Sequence, residues 1–547
     1  LIASECWAYN RRRMPDDPSQ FNLTNYFLGT DRLSQFGKNT AIEFEDTRFT
    51  YGELRLQVDR WARRLENRGV NEGDRVALLL YDSPEFIACF LAVASLGAIC
   101  VPINTFLRAE DVAFILADSG VRLLIVESEL QDKATNETMN PDAILSIDTR
   151  TRCLTGDASN IEAEVSARPY DAEQERTTRE SPAFLLYTSG STGTPKGVLH
   201  SHGSIPFTVE SYSNSVLKLT KDDRVFSSSR MFFAYGFGNS LSFPLAAGAT
   251  VLLEPERMNA ERLARFIEHR KPTVFFGVPA VYLSLLEYRS NGGRVDFSSV
   301  RLCVSAGEAL PSKIFEDWQR EVGLTILDGI GSTEMLHIFI SNRAGNSRAG
   351  SSGMLVEGYR ARLVDDSGDA VQNDAVQNNE PGNLWVSGGS ATTGYWNRPD
   401  LTANTVVDGW VRTGDVYRRD EAGFYYHIGR SDDCFKVHGL WVSPIEVESV
   451  LVSHEAVSEA AVVSAIDERG LATARAYVVI RRGERGHVPE ALKDELRKFA
   501  GSRLPHHKVP AHIQFIEEMP RTSTGKIQRF KLREARNDSV GGSDDKH

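Results

Sequence analysis

Tyr187-Thr-Ser-Gly-Ser-Thr-Gly-Thr-Pro-Lys-Gly197 follows directly on the apolar run Ala183-Phe-Leu-Leu186, and it reads as a strand running into a loop that grips phosphate. Glycine permits tight bends and close backbone approach, hydroxyls hydrogen-bond phosphate oxygens, and Lys196 adds a mobile positive charge. It is not a Walker A loop, because counting from Gly190 places Pro195 where the second glycine of that motif would stand. A flexible Ser/Gly/Thr linker has similar composition. The adjoining strand and the ordered ending Thr194-Pro195-Lys196-Gly197 favour a nucleotide site.

Upstream of this loop, Leu54, Val58, Trp61, Ala62 and Leu65 recur at helical spacing in a helix predicted from Phe49 to Gly69. Next come a buried strand over Arg75 to Tyr81, a helix opened by Pro84 and a strand over Arg122 to Val126. Gln131 to Arg179 is polar and reads as an irregular surface excursion. Downstream the alternation resumes, with strands predicted at Thr250 to Leu253, Thr273 to Val278, Arg301 to Ser305 and Leu324 to Leu327, and helices from Asn259 and Pro279. Such alternation predicts parallel sheets covered by helices, with ligands beyond the carboxyl ends of the strands, where Ala306-Gly-Glu308 and Asp328-Gly-Ile-Gly-Ser-Thr-Glu334 fall as loops. Between Gly353 and His427 the pattern shifts to short strands of a small β module, with Asp366 to Glu380 a polar insertion. Beyond Gly429-Arg-Ser-Asp-Asp433 it becomes a separate α+β unit, and Asn537 to His547 reads as a disordered tail. The predicted class is α/β: a large N-terminal domain over residues 1–431, of parallel α/β sheets plus the β module, then a small mobile α+β domain over residues 432–547.

The chain has 547 residues, 41% hydrophobic and 25% charged, which suits a globular protein of two or more domains. A net charge of −12 argues against a nucleic-acid surface, and no apolar run reaches the roughly 18 residues of a membrane span. Six cysteines, at 6, 89, 100, 153, 303 and 434, are scattered without metal-ligand or disulfide spacing, as expected of a cytoplasmic protein.

Tyr187 to Gly197, Gly331-Ser-Thr-Glu334, Thr413-Gly-Asp415, Gly429 to Asp433 and Pro520-Arg-Thr-Ser-Thr-Gly-Lys-Ile-Gln528 together resemble the adenylate-forming superfamily of acyl-CoA synthetases, luciferases and peptide-synthetase adenylation domains. The resemblance runs through nearly the whole chain in order. It implies ATP, Mg2+ and coenzyme A as cofactor and co-substrates, and a reaction in which a carboxylate becomes acyl-AMP before a thiol displaces AMP. By the same resemblance Thr188, Ser189, Gly190, Ser191, Thr192, Gly193, Thr194 and Lys196 hold the pyrophosphate end of ATP. Glu334 would ligate magnesium beside Ser332 and Thr333, and Lys526 would be the adenylation lysine. Gly307, Glu308, Asp328, Gly329, Ile330 and Gly331 would line adenine, with Ile330 giving a partly aliphatic surface where many relatives carry an aromatic. Asp415 would accept from the ribose hydroxyls, Arg430 would reach ribose or phosphate, and Lys436 would contact phosphate. Asp432 takes the hinge position, and Gly439 and Trp441 would edge the pantetheine tunnel.

Within the superfamily, Met231 to Asn239, Asp328 to Asn342 and Val437 to Pro444 are most similar to benzoate-CoA ligases and related aryl-CoA ligases. The expected acid slot has Phe233, Ala234, Tyr235, Ala306, Gly331, His337 and Ile338 as its wall, with no side chain of fixed charge. Such a wall favours a neutral ring, as in benzoate or a small amino- or hydroxybenzoate. The alternatives are an adenylation enzyme loading a carrier-protein pantetheine and a non-catalytic nucleotide-binding scaffold. No carrier segment is read after Gln528, and Lys196, Glu334, Asp415, Arg430 and Lys526 occurring together count against the scaffold. The resemblance also allows a homodimer.

Overall fold

The computed structural model describes residues 20–134, 140, 143–154, 177–189, 194–365, 380–438, 440–467, 471–481, 490–521 and 527–534. The chain packs as two compact units, one of Leu1–Ala361 with Val386–Val411, the other of Arg362–Trp385 with Arg412–His547.

The first unit is built on two large sheets. One has the strand order Gly394–Tyr395, Pro195–Ser201, Pro182–Ser189, Ile99–Pro102, Arg75–Leu79, Leu123–Glu127, Ile144–Asp148, Cys153–Leu154. It is parallel from Pro182–Ser189 to Ile144–Asp148 and antiparallel at both ends. The other runs Met354–Leu355, Ile338–Ser341, Ile326–Gly331, Leu302–Ser305, Val274–Gly277, Arg224–Ser227, Thr250–Leu253, Thr40–Phe44, Thr47–Thr50, again parallel in its middle. The central strands are buried nearly throughout, which is why they read as unbroken apolar runs rather than alternating ones.

Tyr51–Asn67 is helical because Thr50 and Glu53 form a reciprocal capping box, and its stripe of Leu54, Val58, Trp61, Ala62 and Leu65 is buried as expected. It packs on the helix Pro84–Ser95, which opens with Ser83 as cap and Pro84 in the first turn and is buried from Pro84 to Ala94 on every face.

Two expectations are corrected. The polar stretch after Gln131 contains a buried strand, Ile144–Asp148, which extends the first sheet beside Leu123–Glu127; the rest of that stretch lies largely outside the described residues. Asp328 to Gly331 is strand rather than loop, because Gly329 and Ile330 pair antiparallel with Ser341 and Ile340. The turn is thereby displaced to residues 332–337.

The second unit holds the antiparallel pair Trp410–Arg419 and Tyr425–Arg430, and a three-stranded sheet of Val457–Ile466, Ala472–Ile480 and His512–Phe515. The helices Pro444–Val452 and Glu490–Gly501 cover that sheet, with Val447, Leu451, Leu496 and Ala500 packed on Val462 and Val478. The insertion at residues 366–379 and the tail after residue 534 lie outside the described residues.

Candidate active site

The stretch that organises the sequence lies between two strands that pair antiparallel. Strand Pro182–Ser189 turns back into Pro195–Ser201 with Thr188 opposite Lys196 and Tyr187 opposite Gly197. Gly190, Ser191, Thr192 and Gly193 lie outside the described residues, as does the side chain of Ser189. Gly197 is glycine for packing: a Cβ there would stand 2.9 Å from the Tyr187 ring. That ring is in turn fixed by its hydroxyl, which donates to Asp118 Oδ2 at 2.7 Å.

Strand alternation puts Lys196, Val198 and His200 on one face. Strand Gly394–Tyr395 pairs with the same strand and brings Tyr395 beside Lys196, whose Nζ lies 5.9 Å from the centre of the Tyr395 ring. The Tyr395 hydroxyl donates to Glu334 Oε1 at 2.7 Å. Thr392 N donates to the Glu334 carbonyl at 2.7 Å, and His200 Nε2 stands 2.8 Å from the Thr333 carbonyl. His200 is fully buried and stacked on Phe184; burial pushes its pKa down to about 4, against the Thr333 carbonyl, so the ring is neutral with its proton on Nε2. Backbone and side-chain bonds from two strands therefore hold Thr333 and Glu334 in place.

Tyr395, Thr392 and His200 were not singled out from sequence. For His200 the signal was its alternation with Lys196. Tyr395 and Thr392 carry no local signal, because their partners are distant: Thr392 Oγ1 donates to Leu199 O, 193 positions away in the chain, at 2.7 Å.

Asp328 is buried in its strand, and burial pushes its carboxyl well above the usual range, while the facing Ser305 hydroxyl and the backbone at Leu310 and Gly329 oppose the shift. Its carbonyl accepts from Asn342 N at 2.9 Å and Asn342 Nδ2 at 3.1 Å. Gly307 has φ +91° and a Cβ there would meet only Val278 Cγ1 at 3.9 Å, an ordinary contact, so the backbone conformation is what asks for glycine; Gly307 and Glu308 are exposed. Ile330, Gly331, Ser332 and Thr333 are half-buried.

Of the expected acid wall, Tyr235, His337, Gly331 and Ile338 come together. His337 is buried with its ring centre 5.6 Å from Tyr235, 5.3 Å from Tyr212 and 4.5 Å, edge-on, from Phe243. A Cβ on Gly331 would lie 2.6 Å from the His337 carbonyl oxygen, and one on Gly238 would lie 2.3 Å from His337 Cδ2. Ala306 and Ile338 are buried and Ala234 is half-buried. Phe233 is exposed, and its ring meets Phe232 edge-on at 4.7 Å. Tyr212 and Asn239 sit in the π-helical turns Val209–Leu217 and Gly238–Ser242. A π turn rotates side chains off the 3.6-residue period, so helical spacing does not expose them.

In the second unit Asp415 pairs across the hairpin with Arg430. Asp415 Oδ1 lies 3.0 Å from Arg430 Nη1 and 3.5 Å from His427 Nε2. Burial alone would raise its pKa, but His427 and Arg430 outweigh it and hold the carboxylate below the usual range. Gly414, at φ +71°, lets Arg430 fold across: a Cβ would stand 2.6 Å from Arg430 Nη2, and Arg430 Nη1 donates to Thr413 O at 2.9 Å. Asp432 is exposed in the following turn, with its carbonyl accepting from Arg533 Nη2 at 3.0 Å. Lys436 and Trp441 are cross-strand partners, with Lys436 Nζ 4.6 Å from the Trp441 ring centre. Gly439 and Lys526 lie outside the described residues.

The model of the AMP-binding enzyme family matches residues 30–396, and that of the AMP-binding enzyme C-terminal domain matches residues 446–526. A benzoate-CoA ligase of Thauera aromatica is 39% identical over 522 residues, which is 95% of this chain and 97% of that protein. The crystal structure of an anthranilate CoA ligase in complex with anthranoyl-AMP superposes with a TM-score of 0.83 at 35% identity, covering 96% of this chain and 99% of that one. A benzoate CoA ligase from Burkholderia xenovorans LB400 gives 0.79 at 38% identity, over 94% of this chain and 100% of that one.

Proposed function

Because the chain belongs to the AMP-binding enzyme family, we propose that it is an ATP-dependent aryl-CoA ligase, which joins an aromatic carboxylic acid to AMP with release of pyrophosphate and then passes the acyl group to the thiol of CoA. Benzoate-, hydroxybenzoate- and anthranilate-CoA ligases among its relatives support an aryl acid. The observation that carries this reading is the wall around His337, where the rings of Tyr212, Tyr235 and Phe243 pack on a histidine that burial keeps neutral, with a pKa pushed down to about 3. A flat uncharged ring suits such a wall better than a zwitterion does.

Two anions, the acid and ATP, must meet, so the residues around them serve mainly to position and to offset charge. Lys196 and the hairpin tip 188–194 would hold the pyrophosphate end. Magnesium fits the donor set: it takes one or two carboxylates together with phosphate oxygens, and Glu334, oriented by Tyr395, offers one carboxylate oxygen beside Lys196. When bound it would offset charge on the phosphates. Asp415, kept anionic by His427 and Arg430, would accept from the ribose hydroxyls, and Asp328 and Gly307 would face adenine. Lys526 is assigned to adenylation. Asp432 would be the pivot between residues 1–431 and 432–547, and the Lys436 and Trp441 pair would meet phosphate and pantetheine. Among the described residues no helix is long and apolar enough to cross a membrane. A cytoplasmic location is supported by Cys89, Cys100, Cys303 and Cys434, all buried free thiols, while a homodimer rests on the family resemblance.

AMP release measured over benzoate, hydroxy- and aminobenzoates, cyclic aliphatic and medium-chain acids, with and without CoA, tests the reading. CoA-dependent AMP release confined to aromatic acids is expected. Equal turnover of a medium-chain acid, or activation without any free CoA thioester, would overturn it.

A further inference from the structure

The aryl wall contains a hydrogen-bond relay whose direction can be worked out from its far end. Ser229 N donates to Ser227 Oγ at 3.2 Å, and Ser227 Oγ stands 3.2 Å from Ser229 O, a carbonyl that can only accept. The Ser227 proton is thereby committed to Ser229 O, so toward Asn239 the Ser227 oxygen can only accept. It takes Asn239 Nδ2, at 3.4 Å. That orients the amide: Nδ2 faces Ser227, and Oδ1 faces His337 Nε2 at 3.2 Å. An amide oxygen accepts, so Nε2 carries the imidazole proton.

The other nitrogen is then settled. His337 is 2% exposed and Asn239 fully buried, and His337 Nδ1 has no hydrogen-bond partner among the described residues. Gly238 is the reason the ring sits so close to the π turn, since any Cβ there would overlap His337 Cδ2. A bare acceptor buried among the rings of Tyr212, Tyr235 and Phe243 costs about 1–3 kcal/mol while it is unpaired, and a ligand that brings a donor to it would recover that cost.

Resting on the aryl-CoA ligase reading above, we infer that Asn239, oriented by Ser227, is a positioning residue that fixes His337 as a hydrogen-bond acceptor, and that the acid preferred here carries a donor on its ring, a hydroxyl or an amino group, over unsubstituted benzoate. The relay acts on which ring is held rather than on bond making, so its signature is in the KM for donor-bearing acids.

The test compares benzoate with the three hydroxybenzoates and three aminobenzoates in the wild type, Asn239→Leu and Ser227→Ala, by AMP release with CoA. Ring-nitrogen chemical shifts of 15N-histidine-labelled wild type are recorded alongside, with His337→Gln to assign the signal. Expected are a kcat/KM at least about tenfold above benzoate for one donor-bearing isomer, and a fall of that ratio toward one in both variants, carried by the KM of the donor-bearing acid. The spectrum should show a bare Nδ1 and a protonated Nε2 at His337, a result that needs no variant to fold. Benzoate as the best acid, an unchanged ratio in the variants, or a protonated Nδ1 would each overturn the inference and leave the ligase reading standing. Absence of AMP release with every aromatic acid would instead remove the ligase reading, and this inference with it.

Discussion

The two units hold their candidate site residues by opposite means. In the first, Thr333 and His337 are fixed by neutral hydrogen bonds from the buried His200 and Asn239, the Glu334 carboxylate by the hydroxyl of the half-buried Tyr395, and the turn by glycines that leave no room for a side chain. In the second, Asp415 is fixed by charge, from an Arg430 whose side chain is 51% exposed. Neutral bonds in a dry interior are indifferent to salt but fail when a buried base must take up a proton; ion pairs at the surface behave the other way round.

The largest effect should come from filling the neutral site. Gly331→Ala would place a methyl group 2.6 Å from the His337 carbonyl oxygen and 2.7 Å from its carbon. Backbone cannot yield as a side-chain tip can, so the turn carrying Glu334 must shift. A drop of about a hundredfold or more in kcat/KM is expected, since misplacement by about 1 Å costs that much. A steady-state assay beside a melting curve checks it, and near-normal kinetics in a folded variant would mean that the turn is not held as rigidly as argued.

Acid separates the two units next. His200, His202 and His337 have pKa values pushed by burial down to about 4, about 4 and about 3. Below the ordinary histidine value of about 6.5 the unfolded chain binds protons that the folded chain refuses, so stability rises with pH through that window. The contribution is complete above about pH 6.5 and is lost as pH falls toward 4. With three such groups the slope approaches about 4 kcal/mol per pH unit once the unfolded histidines are fully protonated, and the change from pH 6.5 to 5.5, where they are only partly so, is about 3 kcal/mol. Urea unfolding of the first unit at pH 6.5 and pH 5.5 should show it, and equal midpoints would break the contrast.

How far the sequence reveals these sites follows the same division. The α/β class was legible because parallel strands buried on both faces leave unbroken apolar runs, as in Thr250–Leu253, and because the stripe from Leu54 to Leu65 needs no distant partner to declare itself. The charged pair was half legible: Asp415 and Arg430 stand in recognisable motifs, yet that they meet, with His427 beside them, depends on cross-strand register. The neutral supports were the least legible. Tyr395 reaches Glu334 only through an antiparallel pairing at the sheet edge, and Asn239 reaches His337 from a π turn that no helical period marks. Asp328 was misplaced into a loop because its glycines look like turn residues, whereas Gly329 is glycine to admit Ile338, whose Cγ2 lies 2.9 Å from a Cβ position there.

Tyr395→Phe removes a single bond from an uncharged donor, the hydroxyl to the Glu334 carboxylate, and keeps the ring beside Lys196. Losing one bond to a charged group is worth about 1.5 kcal/mol at the low end, so kcat should fall about tenfold with little change in melting temperature. Titrating magnesium in the assay sharpens the assignment: if the hydroxyl orients the metal-ligating carboxylate, the half-saturating magnesium concentration rises, and an unchanged magnesium dependence would place Tyr395 outside that role.

The smallest effect belongs to the charged site and should depend on salt. Arg430→Lys keeps the charge but loses the planar guanidinium whose Nη1 donates to both Thr413 O and Asp415 Oδ1. Asp415 keeps His427 at 3.5 Å, so it stays largely anionic and the ATP KM should rise only about threefold at low salt. The screening length falls from about 30 Å at 0.01 M to about 8 Å at 0.15 M salt. The lysine, reaching as a point charge without directed bonds, should lose more than the arginine over that range, so the gap between variant and wild type widens. Tyr395→Phe, carried through the same salt series, should keep a constant ratio to wild type; if both ratios move together, the two units are not held by different forces and the contrast between them fails.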